Sequence, residues 1–206
     1  MTKFLSIFFI LITLCFNSYS VYAEGTEYSI GLGVGKTIDG GQYTVETHSS
    51  EIEYDTPEDN IFLLSMGMIF NKNHELSLDI EKRNLKVTDG DYATEDANSL
   101  MPLLKYNYHY PIYGDMDIYF GISGGYEFLS GGYEFLSGGG ADVVNGMVLG
   151  TQIGARYTMD RLYFKVESGV RGRTEKYRVP AAHGEDSIDL SYSEEIDILV
   201  SVGYTF

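Results

Sequence analysis

The side chains of this sequence that could act as a general base near neutral pH are four histidines. They are His48, His74, His109 and His183. His183 is followed by acidic and hydroxyl residues at 185–187, the types that a hydrolase combines as orienting acid and nucleophile. Neighbours within one flexible, Gly-containing loop are not held at catalytic distances, and the other histidines lie in no enzyme motif. We therefore expect no catalytic site.

Acidic and basic residues at alternate positions are the second set that could carry chemistry. They are Asp79, Glu81, Arg83, Lys105, Asp117, Arg156, Lys165, Glu167, Arg171 and Asp197. Facing one another across an interior, side chains of both signs could line a pore that selects ions. They could also pair into a network that fills a narrow interior, because buried charges need partners. Either interpretation requires elements that turn every second residue the same way.

Period-two alternation of apolar and polar residues supplies those elements. From Ile196 to Phe206, for example, every second residue is apolar. Eight such segments occur, at residues 28–35, 62–70, 76–81, 104–110, 117–123, 147–157, 162–171 and 196–206. Alternation over this length predicts β-strands whose two faces lie in different surroundings.

The connections between these strands are short and long in strict alternation. The short ones, at 71–73, 111–115 and 158–160, contain turn-forming Asn, Pro, Gly and Asp. The long ones are 38–59, 88–98, 128–142 and 174–191. This arrangement predicts an all-β fold, an eight-stranded antiparallel up-and-down barrel. Because side chains just fill the interior of an eight-stranded barrel, a packed charge network is favoured over an open pore.

Two kinds of barrel fit this pattern, a soluble one with an apolar interior and a transmembrane one with an apolar exterior. The polar face distinguishes them, because it mixes glycines with charges of both signs. Glycine has no packing reason to recur on a solvated surface, whereas inside a narrow barrel it makes room for long charged side chains. The apolar face also carries aromatic residues at strand ends, which matches the girdles of transmembrane barrels and predicts one here. They are Tyr28, Phe70, Tyr110, Tyr157, Tyr204 and Phe206.

The amino terminus has the layout of a secretory signal peptide. Lys3 precedes an apolar run, residues 4–16, and a small-residue cleavage site ends at Ala23. We expect residues 1–23 to be removed as the signal peptide and residues 24–206 to form one barrel domain. The mature domain then has no cysteine for a disulfide or a thiolate metal site. The net charge of −16 argues against a nucleic-acid partner, which requires a basic surface.

The last strand ends in Val202, Tyr204 and Phe206, alternating apolar residues with a terminal phenylalanine. In this it resembles outer-membrane proteins of Gram-negative bacteria, whose barrel-assembly machinery reads such a strand as an insertion signal. With eight strands the chain is similar to the group of the OmpA membrane domain, OmpX and the opacity proteins, in pattern and not in a specific motif. The resemblance implies location in the cell outer membrane, with short periplasmic turns and long extracellular loops. Because the sequence ends at the barrel, no peptidoglycan-binding domain is expected.

Charged residues near the predicted loops indicate which molecules the barrel could contact on the outer surface of the membrane. Three lysines on the apolar face, Lys36, Lys82 and Lys86, are predicted either to snorkel to the interface or to contact lipopolysaccharide phosphates. The first long loop is acidic and contains no Lys or Arg. It has no EF-hand-like spacing, so we expect no metal site, and no cofactor is implied.

These features predict a non-enzymatic barrel with a structural and adhesive role, whose acidic loops bind a host or cell-surface ligand. Outer-membrane lipid, lipopolysaccharide and the barrel-assembly machinery are its expected partners. Two alternatives stay open, a small-solute channel and a lipid-modifying enzyme, because enzymes also occur among small outer-membrane barrels.

Overall fold

The computed structural model describes residues 25–39, 42–47, 50–55, 60–89, 92–130, 145–173, 177–179, 188–192 and 194–206. Side chains are described for residues 25–38, 60–84, 98–128, 146–172 and 194–206. The predicted signal peptide, residues 1–23, lies outside these ranges and stays a prediction. No helix in the described part of the chain is long and apolar enough to cross a membrane.

The described residues form twelve strands. They are β1 (Glu27–Asp39), β2 (Gln42–Thr47), β3 (Ser50–Asp55), β4 (Asn60–Phe70), β5 (His74–Asp89), β6 (Tyr92–Tyr113), β7 (Met116–Ser130), β8 (Asn145–Met159), β9 (Leu162–Arg173), β10 (Tyr177–Val179), β11 (Ile188–Tyr192) and β12 (Glu195–Thr205). Eight of them close a barrel in the order β1-β12-β9-β8-β7-β6-β5-β4. All neighbours in the barrel pair antiparallel, which confirms the predicted architecture.

The first and last strands of the barrel close it against each other. Tyr28 N donates to Phe206 O at 3.2 Å, and Phe206 N donates to Tyr28 O at 2.9 Å. The other edge of β1 pairs with β4, from Glu27 opposite Ile69 to Lys36 opposite Asn60. A barrel closed in this way has no open sheet edge and satisfies its backbone groups within the wall.

Three tight turns join barrel strands at one end, which we call the turn end. The backbone is left-handed in each turn, with φ of 52° at Asn71, 56° at Gly114 and 54° at Asp160. Asn, Gly and Asp adopt this conformation at lower cost than other residues. The three predicted short connections are confirmed, although β6 and β8 run into the second and third of them before ending at Tyr113 and Met159.

The connections at the opposite end, the loop end, are only partly loops, which corrects the sequence prediction. Strands β2 and β3 lie within the predicted loop 38–59, and β10 and most of β11 lie within 174–191. These four strands form a second sheet in the order β10-β11-β2-β3. Strands β5 and β6 extend through the predicted loop 88–98 until only residues 90–91 separate them. The four strands of the second sheet have six residues or fewer, and an alternation this short is easily interpreted as part of a loop.

Within the barrel wall, alternate side chains point inward and outward. On β12, for example, Leu199 is 2% exposed and its neighbour Val200 is 50% exposed. The interior also contains buried apolar side chains between its charged groups. They are Ile61, Leu63, Ile69, Met101, Leu103, Val148 and Leu199.

Candidate functional site: the charged interior of the barrel

Arg83, near the loop end of β5, is fully buried among three carboxylates. Its Nη1 donates to Glu195 Oε1 at 2.8 Å, and its Nη2 donates to Asp197 Oδ2 at 2.7 Å. Glu81 Oε2 lies 3.3 Å from the same Nη2, and Thr37 Oγ1 donates to Asp197 Oδ1 at 2.8 Å. Since β5 and β12 are not neighbours in the wall, Arg83 links distant strands through the interior.

Glu81 connects this group to the middle of the barrel. Arg171 forms a two-pronged ion pair with it, Nη1 to Oε2 at 2.5 Å and Nη2 to Oε1 at 2.8 Å. Bidentate pairing of this kind is among the strongest hydrogen-bonded contacts between side chains. Lys105 Nζ lies 3.7 Å from Glu81 Oε1 and pairs more closely with Asp79 at 2.9 Å and Glu167 at 2.7 Å.

A second group of charges lies near the turn end. Lys165 Nζ donates to Glu75 Oε1 at 2.5 Å, and Asn107 Nδ2 donates to Glu75 Oε2 at 3.1 Å. His109 bridges two acids, with Nε2 3.0 Å from Glu75 Oε2 and Nδ1 2.7 Å from Asp117 Oδ1. A protonated imidazole suits this position, because both of its nitrogens are donors.

Two buried tyrosine rings fill the space between the charged groups. Tyr119 is 1% exposed and Tyr163 is 2% exposed, and the hydroxyl of Tyr119 donates to Glu167 Oε2 at 3.0 Å. Lys165 Nζ lies 5.5 Å from the centroid of Tyr119 and 5.2 Å from that of Tyr163. Arg156 also lies over the ring of Tyr163, with its Cζ 5.1 Å from the ring centroid. Cation–π attraction therefore supplements the ion pairs.

Interior glycines make room for these rings. A Cβ at Gly203 would contact the ring and hydroxyl of Tyr163, and one at Gly154 would contact the ring and hydroxyl of Tyr119. The sequence analysis expected the glycines to accommodate long charged side chains. At these two positions the closest side chains are aromatic, because a residue without a Cβ lets a ring approach the backbone of the wall.

The side chains near the middle of the interior leave only a small cavity between them. A cavity of about 20 Å³ lies among side chains that include Asp79, Lys105, Tyr119, Lys165 and Glu167. This volume is on the scale of one water molecule. Around this cavity the described side chains form a packed network of ion pairs and rings.

The charged residues predicted from alternation all lie inside the barrel, where they are buried or half-buried. Glu75 and Glu195 were missed, although each immediately precedes a predicted strand segment, 76–81 and 196–206 respectively. Extending the alternation by one step at each strand end would have found both. Glu127, which accepts a hydrogen bond from Ser99 Oγ at 2.6 Å, was missed because it lies four residues beyond the predicted segment 117–123.

The histidines do not assemble a catalytic site among the described side chains. His109 belongs to the interior network, and His74 lies on the outer wall with its Nδ1 2.7 Å from the Tyr106 hydroxyl. His48 and His183 lie outside the described side chains. No group of His, Cys, Asp and Glu within the described residues could hold a metal ion.

Two of the three predicted lipopolysaccharide-contacting lysines can be placed. Lys36 and Lys82 are exposed on the outer wall toward the loop end of β1 and β5. Lys86 follows on β5, but its side chain lies outside the described set.

The outer wall contrasts with the interior in being almost entirely apolar between its ends. Leu32 is 63% exposed, and Ile122 and Ile153 are each 62% exposed. Aromatic side chains cluster toward the turn end, where Tyr108 and Phe120 lie with ring centroids 5.7 Å apart. This distribution is that of a lipid-facing band with an aromatic girdle.

Solved structures share this architecture. Neisserial surface protein A superposes with a TM-score of 0.59 and 11% identity, over 89% of this chain and 100% of that chain. The outer-membrane protein OprG of Pseudomonas aeruginosa gives 0.64 and 14%, over 88% and 96%. The attachment invasion locus protein Ail of Yersinia pestis, in complex with the heparin analogue sucrose octasulfate, gives 0.50 and 12%, over 88% and 99%. The chain has the fold of the small outer-membrane β-barrels.

No protein-family model matches the sequence, and no curated protein matches it significantly. At identities of 11–14%, the likeness to these small barrels concerns the fold and not the ligand.

Proposed function

We propose that this chain is an integral outer-membrane barrel that presents a binding surface at its loop end on a closed, rigid scaffold. The observation that carries this proposal is the opposite character of the two faces of the wall. Phe120 is 60% exposed on the outer wall, whereas its neighbour Tyr119 is 1% exposed among ion pairs. In water such an apolar exterior would drive aggregation, whereas a bilayer accommodates it.

The proposed orientation places the turn end in the periplasm and the loop end outside the cell. The predicted signal peptide, residues 1–23, supports export. Fractionation of a Gram-negative host that expresses the chain should find it in the outer membrane. In detergent the folded barrel should migrate differently on a gel before and after boiling. Identical migration, or recovery in the soluble fraction, would contradict the proposal.

We also propose that Val202, Tyr204 and Phe206 form the strand read by the barrel-assembly machinery. All three point outward and are 45%, 40% and 58% exposed, so a partner could read them before β1 closes over the strand edge. Phe206→Ala should lower the amount of barrel in the outer membrane of cells while leaving refolding of purified protein in detergent intact. Tyr157→Ala, which removes another outward aromatic, is the matched control and should lower assembly less.

The binding role rests on the charge of the predicted first loop. Residues 39–59 contain seven acids and no Lys or Arg. The sucrose octasulfate bound by Ail is a polyanion, which this segment would repel. A cationic partner, such as a basic segment of a surface protein, is therefore the favoured ligand class.

Adhesion of whole cells tests this role. Cells that display the chain should adhere to a surface coated with oligolysine more than to one coated with heparin, and added salt should weaken the difference. A variant with Glu46, Glu51 and Glu53 changed to Gln should lose much of the preference. Stronger adhesion to heparin, or an unchanged preference in the variant, would overturn the assignment of a cationic ligand.

A small-solute channel and a lipid-modifying enzyme are the competing functions. The packed interior speaks against the channel, so purified barrel in planar bilayers should show no sustained conductance. Stable unitary conductance after rigorous purification would contradict the closed scaffold and favour the channel. Overexpression should leave the lipid A and phospholipid profiles unchanged, and a new modified lipid would establish an enzyme.

A further inference from the structure

A row of polar side chains crosses four neighbouring strands on the outer wall at the loop end. Lys36 on β1 lies opposite Asn60 on β4, Asn60 lies opposite Asn84 on β5, and Asn84 lies opposite Asn98 on β6. All four side chains are exposed. Lys82, also exposed, lies one outward position nearer the turn end of β5. We call these five residues the polar strip.

The other half of the outer wall has no such strip among its described side chains. At the loop end of β7, β8, β9 and β12 the outward side chains include Tyr126, Met147, Val170 and Ile196. These four are 50%, 37%, 41% and 37% exposed. The barrel therefore presents two unlike halves to its surroundings toward its loop end.

The composition of the strip is unusual for a sheet surface. Asn is depleted in β-strands, and an amide facing hydrocarbon loses its hydrogen bonds to water. Immediately toward the turn end, Phe62 and Leu100 are 52% and 46% exposed and flank Lys82. The strip thus lies at the loop-end margin of the apolar band, where lipid headgroups would surround a barrel embedded in a bilayer.

The chemistry of the strip fits a phosphorylated sugar. Each carboxamide offers two donors and an acceptor, more than one contact with a neighbouring amide uses, and sugar hydroxyls pair with both kinds of group. The ammonium groups of Lys36 and Lys82 attract phosphate. Three interstrand spacings give the strip a width of about 14 Å, the scale of a disaccharide headgroup.

We propose that the polar strip is a binding site for the phosphorylated disaccharide of lipopolysaccharide, so that one half of the barrel selects this lipid and the other half takes any acyl chain. The proposal rests on the outer-membrane location proposed above, and it assigns to the asparagine row a role that lysine snorkelling does not require. Lipopolysaccharide is chosen over phospholipid because a phosphodiester alone would leave the amides without sugar partners.

The test uses full-length barrel in detergent, titrated with lipid A, with dephosphorylated lipid A and with phosphatidylglycerol, and read by native mass spectrometry. Lys36→Gln together with Lys82→Gln should weaken binding of lipid A about tenfold and leave binding of dephosphorylated lipid A unchanged. Asn60→Leu together with Asn84→Leu should weaken binding of both forms of lipid A and leave phosphatidylglycerol unaffected. The matched control, Tyr126→Leu together with Val170→Leu on the other half, should change none of these affinities.

Three results would contradict the proposed binding site. They are equal affinity of wild type and strip variants for lipid A, an equal loss of lipid A affinity in the control variant, and binding of phosphatidylglycerol as tight as that of lipid A. Each variant is first shown to be folded by its heat-dependent gel migration. A folded barrel that does not bind lipid A would contradict only the proposed binding site. A chain absent from the outer membrane would contradict the proposed location, so the two failures are distinguishable.

Discussion

Lys82 and Arg83 are adjacent cations on β5 that lie in opposite surroundings. Lys82 is exposed on the outer wall, whereas Arg83 is fully buried and contacts Glu81, Glu195 and Asp197. The outer residue can reach headgroups or water along its flexible stem, so it needs no fixed partner. The inner one is buried away from solvent, and its charge is stabilised mainly by the carboxylates that the fold brings to it. Position within the pleat, and not residue type, therefore decides what a charge does in this wall.

The largest effect is expected from removing the inner charge. Arg83→Leu leaves Glu195 and Asp197 buried with reduced compensation, which should lower the free energy of unfolding by about 3–5 kcal/mol. Lys82→Leu should change it by about 0.5 kcal/mol or less. Because the chain has no tryptophan, urea unfolding in lipid vesicles is best followed by far-ultraviolet circular dichroism. A similar decrease in the free energy of unfolding for the two variants would contradict the proposed difference between the inner and outer faces.

A charge placed on the outer wall should have the next largest effect. Val200 is 50% exposed in the middle of β12, two residues from Val202 and Ile198 on the same face. Val200→Arg should cost about 2–4 kcal/mol in a bilayer if this level lies near the midplane. Val200→Leu, the apolar control, should be nearly neutral. A cost for Val200→Leu as large as that for Val200→Arg would show that packing, and not hydrocarbon, opposes the charge.

Two glycines test how tightly the interior is packed, through steric effects alone. A Cβ at Gly203 would collide with the Tyr163 ring and approach the backbone carbonyl of Ile30, whereas nothing lies within 4 Å of one at Gly172. Gly203→Ala should therefore destabilise the barrel by about 1–3 kcal/mol. Gly172→Ala should be neutral or slightly stabilising, by restricting the unfolded chain. Equal urea midpoints for the two variants would mean that the ring moves aside freely.

Sequence alternation was sufficient to assign the faces of the wall because each strand has one lipid-like and one interior surface. Arg171 and Asp197 could be placed inside on parity alone. Their partners could not be named, because Arg171 lies 90 residues from Glu81, and Asp197 lies 114 residues from Arg83. Each pair meets only through the stagger of the closed barrel. Parity orients a side chain, but register decides which strand's side chain it meets.

The strands beyond the barrel wall were missed for a different physical reason. Strands β2 and β3 pair with each other from Gln42 opposite Asp55 to Thr47 opposite Ser50. Each strand has only six residues, and Tyr43 and Val45 on β2 lie opposite Tyr54 and Ile52 on β3. An alternation this short, in a segment rich in acidic residues, was interpreted as a loop. The polar strip escaped notice similarly, since three asparagines far apart in sequence become a row only through register.

The smallest predicted effect concerns what holds the outer wall together laterally. Tyr108 and Phe120 lie on adjacent strands with ring centroids 5.7 Å apart, a contact between neighbours without any charge. A double-mutant cycle with Tyr108→Leu and Phe120→Leu should give a coupling energy of about 0.5–1.5 kcal/mol. This is smaller than the loss at Arg83, because lipid replaces the lost aromatic contact whereas nothing replaces a buried counter-charge. A coupling as large as the Arg83→Leu loss would show that the outer wall is held by specific pairs as strongly as the interior is.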